Sequence, residues 1–214
     1  IPVVFSVFLI LGVLRMAKRN ALVREMALVE TLGSVTTICT DKTGTLTEGR
    51  MSLEKIYWND KVIDLDANKI TNSGEMPRVK EFFRAVLLSL ERVAIDPIEV
   101  EAQRFAQSID VNPHESFEEC RLIEDKPFDA RTKMVNHLWQ DKNDGYFQYS
   151  AGAPEFVIDN CELSKDEKEK ITRVFEDMSN DGYRVIGIAK KSVMPPAKIE
   201  DGSMEFVGLL IMSD

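Results

Sequence analysis

The decapeptide Ile38-Cys39-Thr40-Asp41-Lys42-Thr43-Gly44-Thr45-Leu46-Thr47 gathers one carboxylate, one lysine and a run of hydroxyls around a glycine. The residues before Asp41, Ser34-Val35-Thr36-Thr37-Ile38-Cys39, have the β-branched composition of a strand. Asp41 therefore falls at the C-terminal tip of a predicted strand, the place where open parallel α/β sheets bind ligands. An Asp there can simply open a turn. Thr43, Gly44, Thr45 and Thr47, however, surround it with hydroxyls and backbone N–H groups, the chemistry of an anion-binding nest. A carboxylate inside an anion site is contradictory unless it attacks the anion, since two like charges about 4 Å apart repel by roughly 4 kcal/mol at an effective dielectric near 20. A divalent cation and a lysine bring a carboxylate onto a phosphoryl group. The combination describes covalent catalysis through an aspartyl phosphate.

The elements that must position Asp41 begin with an apolar run, IPVVFSVFLILGVL, broken only by Ser6 and Gly12. A spanning helix takes about 20 apolar residues, so this run is short by itself. Arg15, Lys18, Arg19 and Arg24 follow it, whereas a signal peptide carries its basic residues in front. Basic residues just beyond an apolar helix mark the cytoplasmic side, and the segment reads as the cytoplasmic end of a transmembrane helix. A buried core helix is the bland alternative. A basic helix-like stretch continues to Gly33, which closes it.

Beyond Asp41, residues 51–58 alternate as a strand and Asn59-Asp60-Lys61-Val62 as a hairpin turn. Residues 67–77 read as polar loop. Val79, Phe82, Phe83, Val86, Leu87 and Leu90 recur at helical spacing between Arg78 and Val93. A second helix starts at Asp96-Pro97-Ile98-Glu99, a capping box with Pro at the first helical position. Strands are predicted at about 119–126, 133–140, 145–151, 183–190 and 205–212, with helices at 153–160 and 164–180, the last opened by the Ser164/Glu167 capping box. Strands joined by turns, with helices packed on them, make an α+β domain. It does not supply sheet neighbours for the strand before Asp41.

The formal charge of −9 is unevenly placed, because residues 1–24 carry four basic residues and no acid. An acidic body excludes nucleic acid as a partner, which needs a basic face. Cys39, Cys120 and Cys161 lie far apart and read as reduced thiols. With His114 and His137 the only histidines, no zinc-type spacing is present.

Ile38–Thr47 resembles the phosphorylation motif of the P-type cation-transporting ATPases. MAKRNALVRE and VETLGS before it are similar to that family's connection from its fourth transmembrane helix. DPIE at 96–99, PFDARTK at 127–133, SAGAPE at 150–155 and GYRVI at 182–186 resemble its nucleotide-domain motifs in the same order. The resemblance covers essentially the whole chain, and the segment ahead of the motif looks most like the calcium and sodium/potassium pump branch.

The resemblance implies an α/β phosphorylation domain of the haloacid dehalogenase-like fold, first part only, with an inserted α+β nucleotide-binding domain built on an antiparallel sheet. The implied divisions are 1–17 for the end of a transmembrane helix, 18–48 for the first phosphorylation-domain segment, 49–207 for the nucleotide domain and 208–214 for the returning strand. It implies ATP hydrolysis coupled to cation translocation, with ATP and Mg²⁺ as cofactors. The transported cation would bind outside this chain, and the protein would sit in a membrane with this portion mostly on the cytoplasmic side.

By the same resemblance Asp41 is the nucleophile, and Asp41 and Thr43 hold Mg²⁺. Lys42 and Thr45 shape the loop, and Asp214 matches the Asp that opens the return hinge near the phosphate. Phe128 matches the aromatic on which adenine stacks, Lys133 a lysine near the nucleotide, and Glu99 an acid near the adenine. Gly152 matches the glycine against which the base packs, and Arg184 the arginine that reaches the phosphates. Two positions depart from the pattern. Ala151 stands where the family usually has lysine, and Thr132 where it usually has arginine, beside Arg131. On this view Ala151→Lys should tighten ATP binding. Two further readings stand beside the pump. One is a nucleotide-binding regulatory module without turnover; the other is a soluble haloacid dehalogenase-like phosphohydrolase. The latter class places a second Asp where this chain has Thr43, which cannot titrate near neutral pH. The 214-residue chain alone is expected to be inactive.

Overall fold

The computed structural model describes residues 2–41, 44–65 and 76–214, in two compact units, Ile1–Leu46 and Thr47–Asp214. Lys42, Thr43 and most of the loop expected at 67–77 lie outside the described residues.

In the first unit, α1 runs over Pro2–Ala17 and α2 over Ala27–Gly33. The basic stretch expected to continue as one helix to Gly33 is thus divided. Asn20 adopts φ 62°, its N–H bonds the Ala17 carbonyl, and the Ala21 N–H bonds that of Met16. This is the left-handed, doubly bonded helix ending that Asn tolerates when Gly is absent. Val3, Phe5, Phe8, Leu11 and Leu14 of α1 are exposed. No helix among the described residues is long and apolar enough to cross a membrane. The sixteen residues of α1 reach about 24 Å, against a hydrocarbon core of about 30 Å.

The strand expected at 34–39 does not form; those residues are irregular. An extended segment must pass its alternating N–H and C=O groups to a neighbour, and the described part of this unit offers only two helices.

The second unit is one antiparallel sheet covered by helices on both faces. Its elements are β1 (Ser52–Trp58), β2 (Lys61–Asp64), α3 (Met76–Ser89), α4 (Pro97–Ser108), α5 (Pro113–Glu118), β3 (Cys120–Asp129), β4 (Met134–Asp141), β5 (Tyr146–Gly152), α6 (Pro154–Asn160), α7 (Lys165–Asn180), β6 (Arg184–Val193) and β7 (Glu205–Ser213). The strand order is β2-β1-β7-β6-β5-β4-β3. The β1–β2 hairpin turns at Asn59 and Asp60, both at positive φ, as a type I′ turn requires. The apolar positions read at helical spacing in α3 are all buried. With α4 they pack on Leu53, Ile56, Ala151, Ile188, Leu210 and Met212 of the sheet. The opposite face carries α6 and α7, through Ile158 and Ile171 against Tyr57, Val185, Leu209 and Ile211. Both capping boxes read in the sequence are present, at Asp96/Glu99 and Ser164/Glu167. The short α5 is not foreseen in the sequence; Asn112 caps it by accepting from the His114 N–H at 3.0 Å, and Pro113 opens it.

β1 and β7 are neighbours despite lying at opposite ends of the unit's sequence, with Ser52 opposite Ser213. Thr47 Oγ1 donates to Asp214 Oδ1 at 2.7 Å beside this pair. α4 is tied to β1 by Glu101, a buried carboxylate that accepts from the Leu53 N–H at 3.1 Å and from Arg104 at 2.6 and 2.7 Å. Burial pushes the Glu101 carboxyl up, but Arg104 and the Leu53 N–H outweigh it and leave its pKa below the ordinary glutamate value. A depressed carboxylate stabilises the fold above its unfolded pKa, and that stability is lost as pH falls through the lower folded value. Glu101→Gln is therefore expected to cost about 1.5–3 kcal/mol at neutral pH and to flatten the acid limb of stability against pH. Urea unfolding of both proteins from pH 7 to 3 checks it; parallel acid limbs would refute it.

Candidate functional site

Backbone register collects the nucleotide residues expected from the sheet at one of its ends. Asp129, Met134, Gly152 and Gly187 lie in one row across β3, β4, β5 and β6. Glycine is required at 152 because β4 and β5 close there. A Cβ at 152 would press into the Lys133 carbonyl oxygen and stand 2.8 Å from the Met134 Cα. That carbonyl instead accepts the Ala153 N–H at 3.0 Å, which leads the chain into α6.

Phe128 lies near the end of β3, and Lys133 closes the turn into β4. Register slips between Lys126 and Asp129, a bulge of the kind that re-aims a side chain next to functional sites, and Phe128 beside it is 63% exposed. In the turn, Asp129 accepts from the Arg131 N–H and from Nη2, both at 2.8 Å. The Arg131 guanidinium and backbone N–H hold the Asp129 carboxyl down at about 2. This Asp-x-Arg turn is a site feature that motif reading missed, although an Asp bonding two residues on is a local signal. Arg131, adjacent to the variant Thr132, is thereby tied to its own turn. Lys133, at φ 49°, directs Nζ to Glu155 at 3.4 Å and over the Phe156 ring at 5.4 Å. Both members of the ion pair are half-exposed, so the pair is worth only about 0–1 kcal/mol.

Arg184 opens β6 opposite Met212, which in turn faces Leu53 of β1, and it is exposed. Gly182 places it: α7 ends with Gly182 at φ 89°, its N–H on the Ser179 carbonyl and the Tyr183 N–H on that of Met178, an ending that favours glycine. Glu99 lies in the first turn of α4, where Oε2 accepts from the Ile95 and Asp96 N–H groups at 3.1 and 3.2 Å. Its carboxylate serves the helix cap.

Ala151 corrects an expectation. It is 1% exposed, sits between Val135 and Ile188 in register, and belongs to the core under α3 and α4. A lysine there would enter packed apolar surface rather than an open cleft. Ala151→Lys is now expected to destabilise by about 1–3 kcal/mol from overpacking alone, and not to tighten ATP. Denaturant unfolding with parallel ATP titration checks this; an unchanged midpoint with tighter ATP would restore the first expectation.

In the first unit Asp41 is exposed on irregular backbone. In the second, Thr47 and Asp214 meet. A groove of about 810 Å³ in the second unit, lined by residues including Trp58, Arg84, Tyr149 and Lys190, contains none of Glu99, Phe128, Lys133, Gly152 or Arg184. The candidate site is thus an exposed platform at a sheet end, apart from this groove.

A sheet unit with these motifs in this order defines a nucleotide-domain fold, and comparison with known proteins agrees. Residues 91–214 match the family model for the P-type ATPase, cytoplasmic domain N. The chain is 30% identical over 254 aligned residues to cation-transporting ATPase pma1 of Synechocystis sp., covering 100% of this chain and 28% of that protein. It is 28% identical to the sodium/potassium-transporting ATPase subunit alpha-A of Artemia franciscana, over 98% of this chain and 25% of that one. It is 29% identical to calcium-transporting ATPase 1 of Saccharomyces cerevisiae, over 100% and 26% respectively. The chain belongs to the P-type ATPase family. It spans about a quarter of the length of these relatives.

Proposed function

We propose that this chain is the part of an ATP-driven cation pump that receives ATP on its sheet unit and accepts the γ-phosphoryl group on Asp41. The observation that carries the reading is the Ile38–Thr47 stretch, followed in the same chain by a family nucleotide domain.

A carboxylate oxygen of Asp41 attacks the γ-phosphorus; the bond to the β–γ bridging oxygen breaks, and the nucleoside diphosphate leaves with its electron pair. Asp41 is exposed, as an acceptor for a donor held on another unit must be. The exposed ring of Phe128 offers adenine a stacking face, worth about 1–3 kcal/mol for a base on an aromatic. Gly152 keeps the backbone low beside it. The Lys133 ammonium leaves its weak surface pair with Glu155 at little cost and, with the Arg184 guanidinium, meets the phosphates. Glu99 shapes the start of α4 near the base.

Mg²⁺ fits the donors assigned to it, the Asp41 carboxylate and the Thr43 carbonyl, which are hard oxygen ligands. Bound there it would neutralise charge between carboxylate and phosphate. Thr43 supplies no titrating group two residues after the nucleophile, so the acyl phosphate persists, as a pump that must change shape before hydrolysis requires. Asp214, held by Thr47, is the acid nearest the return to the phosphorylation domain. The exposed apolar surface of α1 supports a lipid-covered helix, with the nucleotide unit on the cytoplasmic side and the cation bound elsewhere in the protein.

Ala151 and Thr132, which depart from the family pattern, keep open a second reading, a nucleotide-binding module without turnover. The complete protein, given γ-labelled ATP, Mg²⁺ and candidate cations, decides between them. Acid-stable, hydroxylamine-labile label supports the pump. ATP binding without label supports the module, and phosphate release without accumulated label supports a phosphohydrolase.

A further inference from the structure

His137, in the middle of β4, is 2% exposed, and the proposed pump chemistry gives it no task. Its Nδ1 lies 3.3 Å from the Leu88 carbonyl, at the end of α3, which also accepts from Trp139 Nε1 at 2.8 Å. A carbonyl can only accept, so Nδ1 is the ring nitrogen that donates to it, and Nε2 is left to face other groups. Nε2 faces two carboxylates, Asp125 Oδ1 at 3.3 Å and Glu91 Oε2 at 3.8 Å. Among the described residues neither carboxylate has a lysine or arginine within ion-pair distance. Two carboxylate oxygens and a ring nitrogen converge on one point, a geometry that a cation between them would hold.

We infer that Glu91, Asp125 and His137 form a binding site for a divalent transition-metal ion of the Zn²⁺ type. The three donor atoms lie within 4.8 Å of one another, and the two distances from Nε2 are near the edge of about 3.3 Å expected for tetrahedral ligands at 2.0–2.1 Å. One imidazole and two carboxylates suit Zn²⁺ or Co²⁺ better than Mg²⁺, which prefers oxygen alone. A backbone carbonyl on the other ring nitrogen is the usual means of fixing tautomer and ring direction in a metal-bound histidine. The buried imidazole forms the floor; the carboxylates, with side chains 36% and 45% exposed, can close the remaining distance, and water can complete the shell. An ion here would fasten the α3–α4 connection, which leads to the Glu99 cap, to β4 and to β3, which bears Phe128. The scarcity of His and scattered Cys in the sequence argued against zinc; the fold assembles a site that no local spacing announces.

Calorimetric titration of the 214-residue chain with Zn²⁺ tests it, alongside Asp125→Asn, Glu91→Gln and His137→Gln. The expected result is one equivalent bound, a raised Tm, and affinity lowered at least about tenfold in each variant. Co²⁺ should give visible ligand-field bands without sulfur-to-metal charge transfer, which separates this site from the thiols. His137→Gln removes a buried group and can unfold the sheet. The two carboxylate variants alter partly exposed side chains and keep the test decisive. Unchanged Zn²⁺ affinity in those two overturns the inference. So does the absence of stoichiometric binding, with NMR showing His137 as an imidazolium paired to Asp125.

Discussion

In the complete protein the Asp41→Asn variant forms no hydroxylamine-labile phosphoenzyme; that is the expected result of replacing the nucleophile by an amide of the same shape. Removing a covalent nucleophile can cost on the order of 10⁶-fold in rate, which takes steady-state labelling below detection. The loss is chemical rather than structural. Asp41 is exposed on irregular backbone in the first unit, and surface substitutions of this kind shift stability by no more than about 0.5 kcal/mol. ATP affinity should remain within a factor of about two, since that corresponds to about 0.4 kcal/mol and the proposed nucleotide residues all lie in the second unit. Labelling, Tm and ATP affinity measured on the same preparation separate these effects. Normal labelling of Asp41→Asn would overturn the assignment, and joint loss of label and Tm would mean that Asp41 is structural.

Gly152→Ala is expected to be a strongly damaging single-methyl substitution in the nucleotide unit. The added Cβ meets the Lys133 carbonyl and the Met134 Cα, backbone atoms at the start of β4, which is paired on both sides from Met134. A flexible side chain could swing away; these atoms can move only by parting β4 from β5. Overpacking a core costs about 1–3 kcal/mol, and forcing a ladder apart places this change at the upper end, about 3 kcal/mol. For a unit of this size that lowers Tm by about 6–12 °C. The same separation displaces the turn that holds Lys133 and the start of α6. ATP binding should therefore fall further than stability alone explains, and a titration well below Tm would show it. A wild-type Tm would mean that the strands have slack at this row, and glycine would then be free to serve the nucleotide alone.

What could be read from the sequence were features whose partners lie within a few residues. The Asp96/Glu99 and Ser164/Glu167 boxes are three-residue motifs, and both formed. The α3 stripe from Val79 to Leu87 is a 3.6-residue period, and it is buried. The strands from β3 to β5 are read from their own composition, and they pair in order. The Asp41 stretch is legible as chemistry because its residues are contiguous.

Local reading failed where the outcome depends on a distant neighbour. Residues 34–39 have strand composition yet form no strand, because composition expresses only a willingness to pair and the described first unit offers no edge. The basic stretch broke at Asn20 because a left-handed residue with two carbonyl bonds ended the helix, a choice that periodicity does not encode. Ala151 stands in the position of a family lysine, but its burial is set by Val135, Ile188 and the helices above them. The pairing of β1 with β7, and with it the Thr47–Asp214 bond, joins opposite ends of the unit.

The sequence by itself determined the helix caps, most strands of the second unit and the acidic character of the chain, because these follow from residue type and short spacing. Tertiary structure alone decided which side chains meet. Glu91, Asp125 and His137 come together because β3 and β4 pair in one register and the end of α3 lies over them. Register and helix docking are set by burying a common core, and that physical cause acts across the whole unit at once.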